Sequence, residues 1–267
     1  MSDLANVLKD LATAGDEIDR MVADLDDTRW ALETPAPGWT VSDQIAHLVF
    51  VNRLAGTAAS DPEAFRVMTE KASGDFDGAV NAALAAYASD STQVLLARWR
   101  TERAAAIEAL ASVPPDQTVP WLVNPLPPAV LACAGLMETF AHGQDIADAL
   151  GVRREPAPWL RHVAGFAVLT QAFGYQARGL TPPTEPFRFE LTYTTGELWE
   201  YGPADATQRI TGPAHDFCLL VTRRRHRDDL ALTATGDAAD HWLDIAQAYR
   251  GPAGEGRRPG QFSDTPR

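Results

Sequence analysis

Glu138, His142 and Asp145 stand four and then three residues apart in the run from Met137 to Ile146. In a helix that spacing turns all three side chains to one face. An apolar face lies beside it (Leu131, Ala134, Met137, Ala141, Ala149), so the three are expected to be partly enclosed. A carboxylate and an imidazole one turn apart can hold a divalent ion, and helix bundles complete such sites from facing helices. Three protein ligands with an open position make a catalytic zinc-type centre. The third ligand has to come from another helix. His47 is the best candidate, because it sits among Ile45, Ala46, Leu48 and Val49 rather than on a polar stretch. His162, His215, His226 and His241 have no acid at ligand spacing within an apolar bundle helix. Each residue also has a plainer reading. Glu–His pairs at this spacing are common on solvated helix surfaces, a lone histidine on an apolar helix is often a hydrogen-bonded core residue, and Asp145 fits a solvated face.

The elements that must position these residues follow from periodicity. Residues 3–26 carry Leu4, Val7, Leu11, Ile18, Met21, Val22 and Leu25 at helical spacing. After Pro35, Pro37 and Gly38, Thr40 with Asp43 forms a variant capping box that opens a helix from Val41 to about Ala55. Asp61 and Pro62 read as another helix start. A long alanine-rich helix is expected from Asp77 to Val113, with Ser89 to Ser91 as its weak point. Prolines at 114, 115, 120, 125, 127 and 128 cannot continue it. Helix resumes at Ala129 and stops at Gly151, and a last helix of the series covers about 159–178. Beyond Pro182, Pro183 and Pro186 the pattern changes to alternation. Strands are expected at Phe187–Thr194, Glu197–Tyr201, Thr207–Thr211 and Leu230–Thr235, with helices at Pro213–Arg224 and Asp237–Tyr249. The expected architecture is an antiparallel helical bundle over residues 1–180, a small α+β domain over 185–250 and a mobile tail over 251–267.

The composition agrees with a globular, water-soluble chain: 267 residues, 45% apolar, 22% charged, net charge −13. Residues 1–150 carry the whole of that charge, with 9 Lys/Arg against 22 Asp/Glu, whereas residues 151–267 balance at 14 against 14. An acidic chain without a basic stripe argues against nucleic-acid and membrane partners. No window approaches eighteen consecutive apolar residues, and charges begin at Asp3, which argues against a signal peptide and for a cytoplasmic location. Two isolated cysteines, Cys133 and Cys218, exclude a disulfide scaffold and a cysteine zinc site.

The stretch Gly38-Trp-Thr-Val-Ser-Asp-Gln-Ile-Ala-His-Leu48 resembles the signature of DinB/YfiT-like metal proteins, in particular the mycothiol-dependent maleylpyruvate isomerase group. There a Trp-Thr/Ser-Val opening leads into a helix whose histidine is the first metal ligand, and the stretch around Glu138 and His142 resembles the group's second motif. The resemblance implies a four-helix, DinB-like bundle with His47, Glu138 and His142 as ligands of a divalent metal, zinc by the ligand set. It implies Asp145 as an acid behind the ligands, holding an imidazole's other nitrogen. The part after residue 180 looks like the sterol-carrier-like α+β domain that often follows this bundle. In the isomerase that the chain resembles, mycothiol adds to an activated cis double bond, the adduct rotates, and elimination gives the trans product. A small-molecule substrate, a low-molecular-weight thiol as cosubstrate, and an isomerase or thiol transferase reaction are therefore expected. A metal-dependent hydrolase and a carrier of an apolar ligand with a structural metal are the alternatives. The resemblance also suggests a basic residue from the C-terminal domain for an anionic substrate. Arg223, Arg224 and Arg225 are the candidates, at most one or two facing the site, and a solvent-facing helix cap is the competing reading.

Overall fold

In the computed structural model, which describes residues 3–70, 76–114, 116–122 and 124–262, the helical periods close into helices where the apolar residues ask for them. Contacts divide the chain into two units, Met1–Val152 and Arg153–Arg267. The first holds α1 (Leu4–Val22), α2 (Asp27–Trp30), α3 (Val41–Ser60), α4 (Pro62–Glu70), α5 (Phe76–Tyr87), α6 (Thr92–Ala111) and α7 (Pro128–Leu150).

Four long helices form a closed ring of neighbours: α1 packs on α6 and α7, and α3 packs on the same two. Ion pairs Asp19–Arg100 and Asp16–Arg103 set α1 antiparallel to α6. Ile18, Val22, Ile45, Leu48, Leu95, Trp99 and Ile146 meet in the centre and are almost wholly withdrawn from solvent. Thr40 caps α3 as expected: its hydroxyl accepts from the Asp43 N–H at 3.3 Å, and the Asp43 carboxylate accepts from the Thr40 N–H at 2.8 Å. Gly151 ends α7 in the left-handed region at φ 66°. Before α3, Glu33 and Thr40 form an isolated antiparallel bridge, so the chain doubles back on itself ahead of the capping box.

Several boundaries differ from the periodic reading. The long helix expected over 77–113 is two helices, because Ser91 caps α6 by accepting from the Val94 N–H at 3.4 Å. The helix expected over 159–178 is α8 (Leu160–Leu169) and α9 (Phe173–Gln176). The proline-rich stretch holds a bridge between Val119 and Leu126; Pro115 lies outside the described residues. The expected bundle edge near residue 180 also differs from the observed division at 152/153. Leu160, Val163, Ala164 and Ala167 bury the apolar face of α8, which packs against the helix Ala214–Val221 and the strand Leu198–Tyr201 of the second unit.

In the second unit β1 (Phe187–Thr192), β2 (Leu198–Tyr201), β3 (Gln208–Pro213) and β4 (Thr233–Thr235) form one sheet in the order β2-β1-β3-β4. The β1–β2 hairpin turns at Gly196, φ 86°, as Thr195-Gly196 predicts, while β1 and β3 run parallel. Every strand among the described residues follows Pro186. Two helices, α10 (Ala214–Val221) and α11 (Asp237–Ile245), complete the unit. Its core is aromatic: Phe187, Phe189, Phe217 and Trp242 meet at centroid distances of 5.5–6.4 Å. The fold is thus a helical unit followed by an α+β unit, as the sequence leads one to expect. The stretch after Gly251, expected as a tail, makes contacts as far as Phe262. The Gly260 N–H donates to Asp229 Oδ1 at 2.8 Å, and the Arg225 guanidinium lies 3.8 Å from the Phe262 ring centre. No helix of the described residues is long and apolar enough to cross a membrane.

Candidate metal centre

Because α3 and α7 are antiparallel neighbours in the bundle, His47 and the Glu138–His142 pair face one another although 91 residues separate His47 from Glu138. Glu138 Oε2 lies 3.4 Å from His47 Nε2 and 3.2 Å from His142 Nε2. One ligand atom from each residue falls within 4.8 Å of the others, and this is the one such group of histidine, cysteine or acid side chains found among the described residues. A tetrahedral zinc ion with bonds of 2.0–2.2 Å separates its ligand atoms by about 3.3–3.6 Å. The two separations from Glu138 match that spacing, and the third lies within 4.8 Å.

His47 is buried and the other two are mostly enclosed. Burial alone would push the Glu138 carboxyl up. The imidazoles of His142 and then His47 outweigh that and hold it well below the usual carboxylate range, so it is ionised at neutral pH. The Trp39 ring covers both imidazoles, with centroids 5.3 Å from His47 and 5.8 Å from His142, the latter stacked at 20°. The Trp39 ring is thus a wall of the site.

Asp145 is fully buried on α7. The acceptor that meets the outer nitrogen of an imidazole is a different residue, Gln44. Its Oε1 lies 2.6 Å from His142 Nδ1, and its Nε2 donates to Thr34 Oγ1 at 2.8 Å. Gln44 was open to detection in the sequence. It is a polar residue one turn before His47, flanked by Val41, Ile45 and Leu48, on the face that the helix buries. The Nδ1 of His47 is buried and has no hydrogen-bond partner among the described residues. A cavity of about 680 Å³ between α3, α6 and residues 113–120 is lined by none of the three candidate ligands.

Arg223, Arg224 and Arg225 belong to the second unit. They end α10 in a Schellman motif: the Arg223 N–H donates to the Leu220 carbonyl and the Arg224 N–H to that of Leu219, both at 2.8 Å. Arg223 takes the left-handed position at φ 60°, where glycine is the usual residue, and no other non-glycine among the described residues has a positive φ. Its guanidinium donates to the Gly254 carbonyl at 3.3 Å. Arg178 nearby is held below the ordinary arginine range, by burial first and by the charge of Arg223 second. Among the described residues neither arginine has a carboxylate partner. The Arg224 guanidinium donates to the Thr222 carbonyl at 2.6 Å.

Neither cysteine belongs to the metal group. Burial pushes the thiol of Cys133, on α7, up to about 11. It pushes that of Cys218 further still, and the Cys218 thiol donates to the Leu160 carbonyl at 3.6 Å.

Comparison with known proteins adds the following. Residues 11–147 match the model for the mycothiol maleylpyruvate isomerase N-terminal domain, and residues 183–235 match that for wyosine base formation. The uncharacterized proteins MT0041 and Rv0036c of Mycobacterium tuberculosis (strains CDC 1551 / Oshkosh and H37Rv) are each 44% identical over 257 residues, spanning 96% of this chain and 100% of theirs. Crystal structures of the mycothiol-dependent maleylpyruvate isomerase and of a histidine-to-alanine mutant of it share the fold. For both, the TM-score is 0.58 at 16% identity, over 87% of this chain and 93% of the other.

Proposed function

The chain belongs to the mycothiol maleylpyruvate isomerase N-terminal domain family, and on that premise we propose that it is a divalent-metal enzyme that uses a low-molecular-weight thiol, in the manner of mycothiol, to isomerise or to open a small electrophile. The observation that carries the reading is the convergence of His47, Glu138 and His142 on one point at ligand spacing. Two neutral imidazoles and one carboxylate leave a bound divalent ion with a net positive charge, and zinc is the ion that this set suits. When bound, such an ion supplies the Lewis acidity that keeps a small thiol ionised at neutral pH. The chain's own part is to hold that charge in place, to exclude water on the Trp39 side, and to keep Glu138 ionised. Asp145 is the buried acid that supports the ligand face of α7. A cytoplasmic location goes with an intracellular thiol.

The test is elemental analysis of the purified protein, followed by turnover of a panel of small electrophiles, maleylpyruvate among them, with and without thiol. About one zinc per chain and thiol-dependent turnover are expected. Hydrolysis that proceeds without thiol would replace this reading by a hydrolase. A co-purifying apolar ligand with no turnover would replace it by a carrier.

For an anionic substrate we assign Arg223, rather than Arg224 or Arg225, as the binding cation. An arginine held in the left-handed region costs about 1–2 kcal/mol over glycine, and such strain is commonly kept for function. Arg223→Gly is therefore expected to raise stability by about 1 kcal/mol in urea unfolding. It should also lower kcat/KM for an anionic substrate about 10- to 100-fold, the worth of one charged hydrogen bond. Zinc content should not change. Full activity in this variant would end the assignment.

A further inference from the structure

We propose that Gln44 is a positioning residue that fixes the tautomer of His142, and that Thr34 and the backbone carbonyl of Trp39 hold Gln44 in the orientation that does so. The purpose of this device rests on the metal reading above; the tautomer itself does not.

The direction of every hydrogen in the chain of contacts can be worked out from its far end. The Trp39 carbonyl lies 2.8 Å from Thr34 Oγ1. A carbonyl has no hydrogen to give, so the Thr34 hydroxyl must donate to it. The lone pairs of that hydroxyl are then free to accept, and the group 2.8 Å away is the Gln44 amide, which must present its NH2. With the nitrogen so placed, the Gln44 carbonyl oxygen faces His142 Nδ1 at 2.6 Å. This oxygen also has no hydrogen, so Nδ1 must carry one. A neutral imidazole protonated on Nδ1 has its lone pair on Nε2, the atom that lies 3.2 Å from Glu138 Oε2. Two acceptors facing each other at that distance repel unless a proton or a metal cation lies between them. The Thr34–Gln44 relay thus presents His142 to an ion in the form that can bind it.

Burial makes the device stiff. Gln44 is fully buried and Thr34 nearly so, and a buried amide without partners is costly, so the contacts cannot be traded freely for water. Gln44 also lies one turn before His47 on α3, so one helix supplies a ligand and orients the ligand of its neighbour. Trp39 acts twice, its ring over both imidazoles and its carbonyl at the end of the relay.

The experiment uses the full-length protein, selectively labelled with 15N-histidine and stripped of metal, at a pH where the imidazoles are neutral. Long-range 1H–15N spectra distinguish the two tautomers, and competition with a chelating dye gives the zinc Kd. In the wild type, His142 should be the Nδ1–H tautomer. Gln44→Leu should populate both tautomers and raise the zinc Kd about 10- to 100-fold, as losses behind metal ligands do. Gln44→Glu, which keeps an acceptor on Nδ1, should restore the Nδ1–H form and tight zinc binding. A residue needed only for packing would instead lower stability in Gln44→Leu and leave tautomer and Kd where they were. Should Gln44→Leu not fold, Thr34→Val removes the far end of the relay, keeps Gln44, and should likewise populate both tautomers. An Nε2–H His142 in the wild type overturns the proposal, as does an unchanged Kd in Gln44→Leu. If the wild type holds no zinc, the metal reading fails, while the tautomer in the metal-free protein still decides the role of Gln44.

Discussion

His142→Ala is expected to weaken zinc binding by more than about 100-fold, beyond the 10- to 100-fold that losses behind a metal ligand cost. The expectation rests on geometry: Glu138 Oε2 lies 3.4 Å from His47 Nε2 and 3.2 Å from His142 Nε2, and removal of the His142 ring leaves one ligand on each of two helices. The same substitution leaves the Gln44 carbonyl buried without its donor, at a cost to the metal-free fold of about 1–3 kcal/mol. Two measurements separate the effects. Zinc at about 100 times its Kd should stabilise the wild type by about 2.7 kcal/mol through mass action, and the variant at the same concentration by far less. Thermal unfolding of both proteins with and without zinc gives these values directly. Equal stabilisation of the two would show that the ion is held elsewhere.

Trp242→Ala is expected to destabilise the second unit by about 3–5 kcal/mol, the usual cost of truncating a buried aromatic residue. Trp242 is wholly withdrawn from solvent. It stacks on Phe217 and meets Phe187 and Phe189 edge-on. Its indole N–H donates to the Gln171 carbonyl at 3.1 Å, so truncation opens a cavity and orphans an acceptor at once. A unit of this size commonly has 5–15 kcal/mol in all, so the unfolding transition should move to much lower urea. Zinc binding should survive at native conditions, because His47, Glu138, His142, Gln44, Thr34 and Trp39 all lie within residues 1–152. A shift under about 1 kcal/mol would contradict the place of Trp242 at the centre of this core.

The parts of the fold legible in the sequence are those set by local physics. Apolar spacing gave α1, α3 and α7, a hydroxyl and an acid three residues apart gave the start of α3, and a glycine gave the end of α7. Alternation gave β1 and the region of β4, and Thr195-Gly196 gave the hairpin to β2. What stayed hidden depends on partners distant in the chain. The periodicity of residues 160–169 shows an apolar face but not that its partners are α10 and β2, which is what places these residues on the far side of the 152/153 division. Alternation cannot show that β1 pairs with β3 in parallel. The site divides in the same way. Glu138 and His142 announce themselves by spacing, and His47 by its apolar neighbours. Gln44 could be assigned only once α3 and α7 were placed side by side, because its partner is 98 residues away.

The two cysteines have a consequence for the redox character of the protein. A thiol at about 11 is ionised to about one part in ten thousand at neutral pH, and the thiolate is the form that attacks disulfides and oxidants. Cys218 is more deeply suppressed. In the folded state the two cysteines therefore offer almost no thiolate. A reagent that counts thiols by their reactive thiolate should read almost none in the native protein and both cysteines once the chain is unfolded.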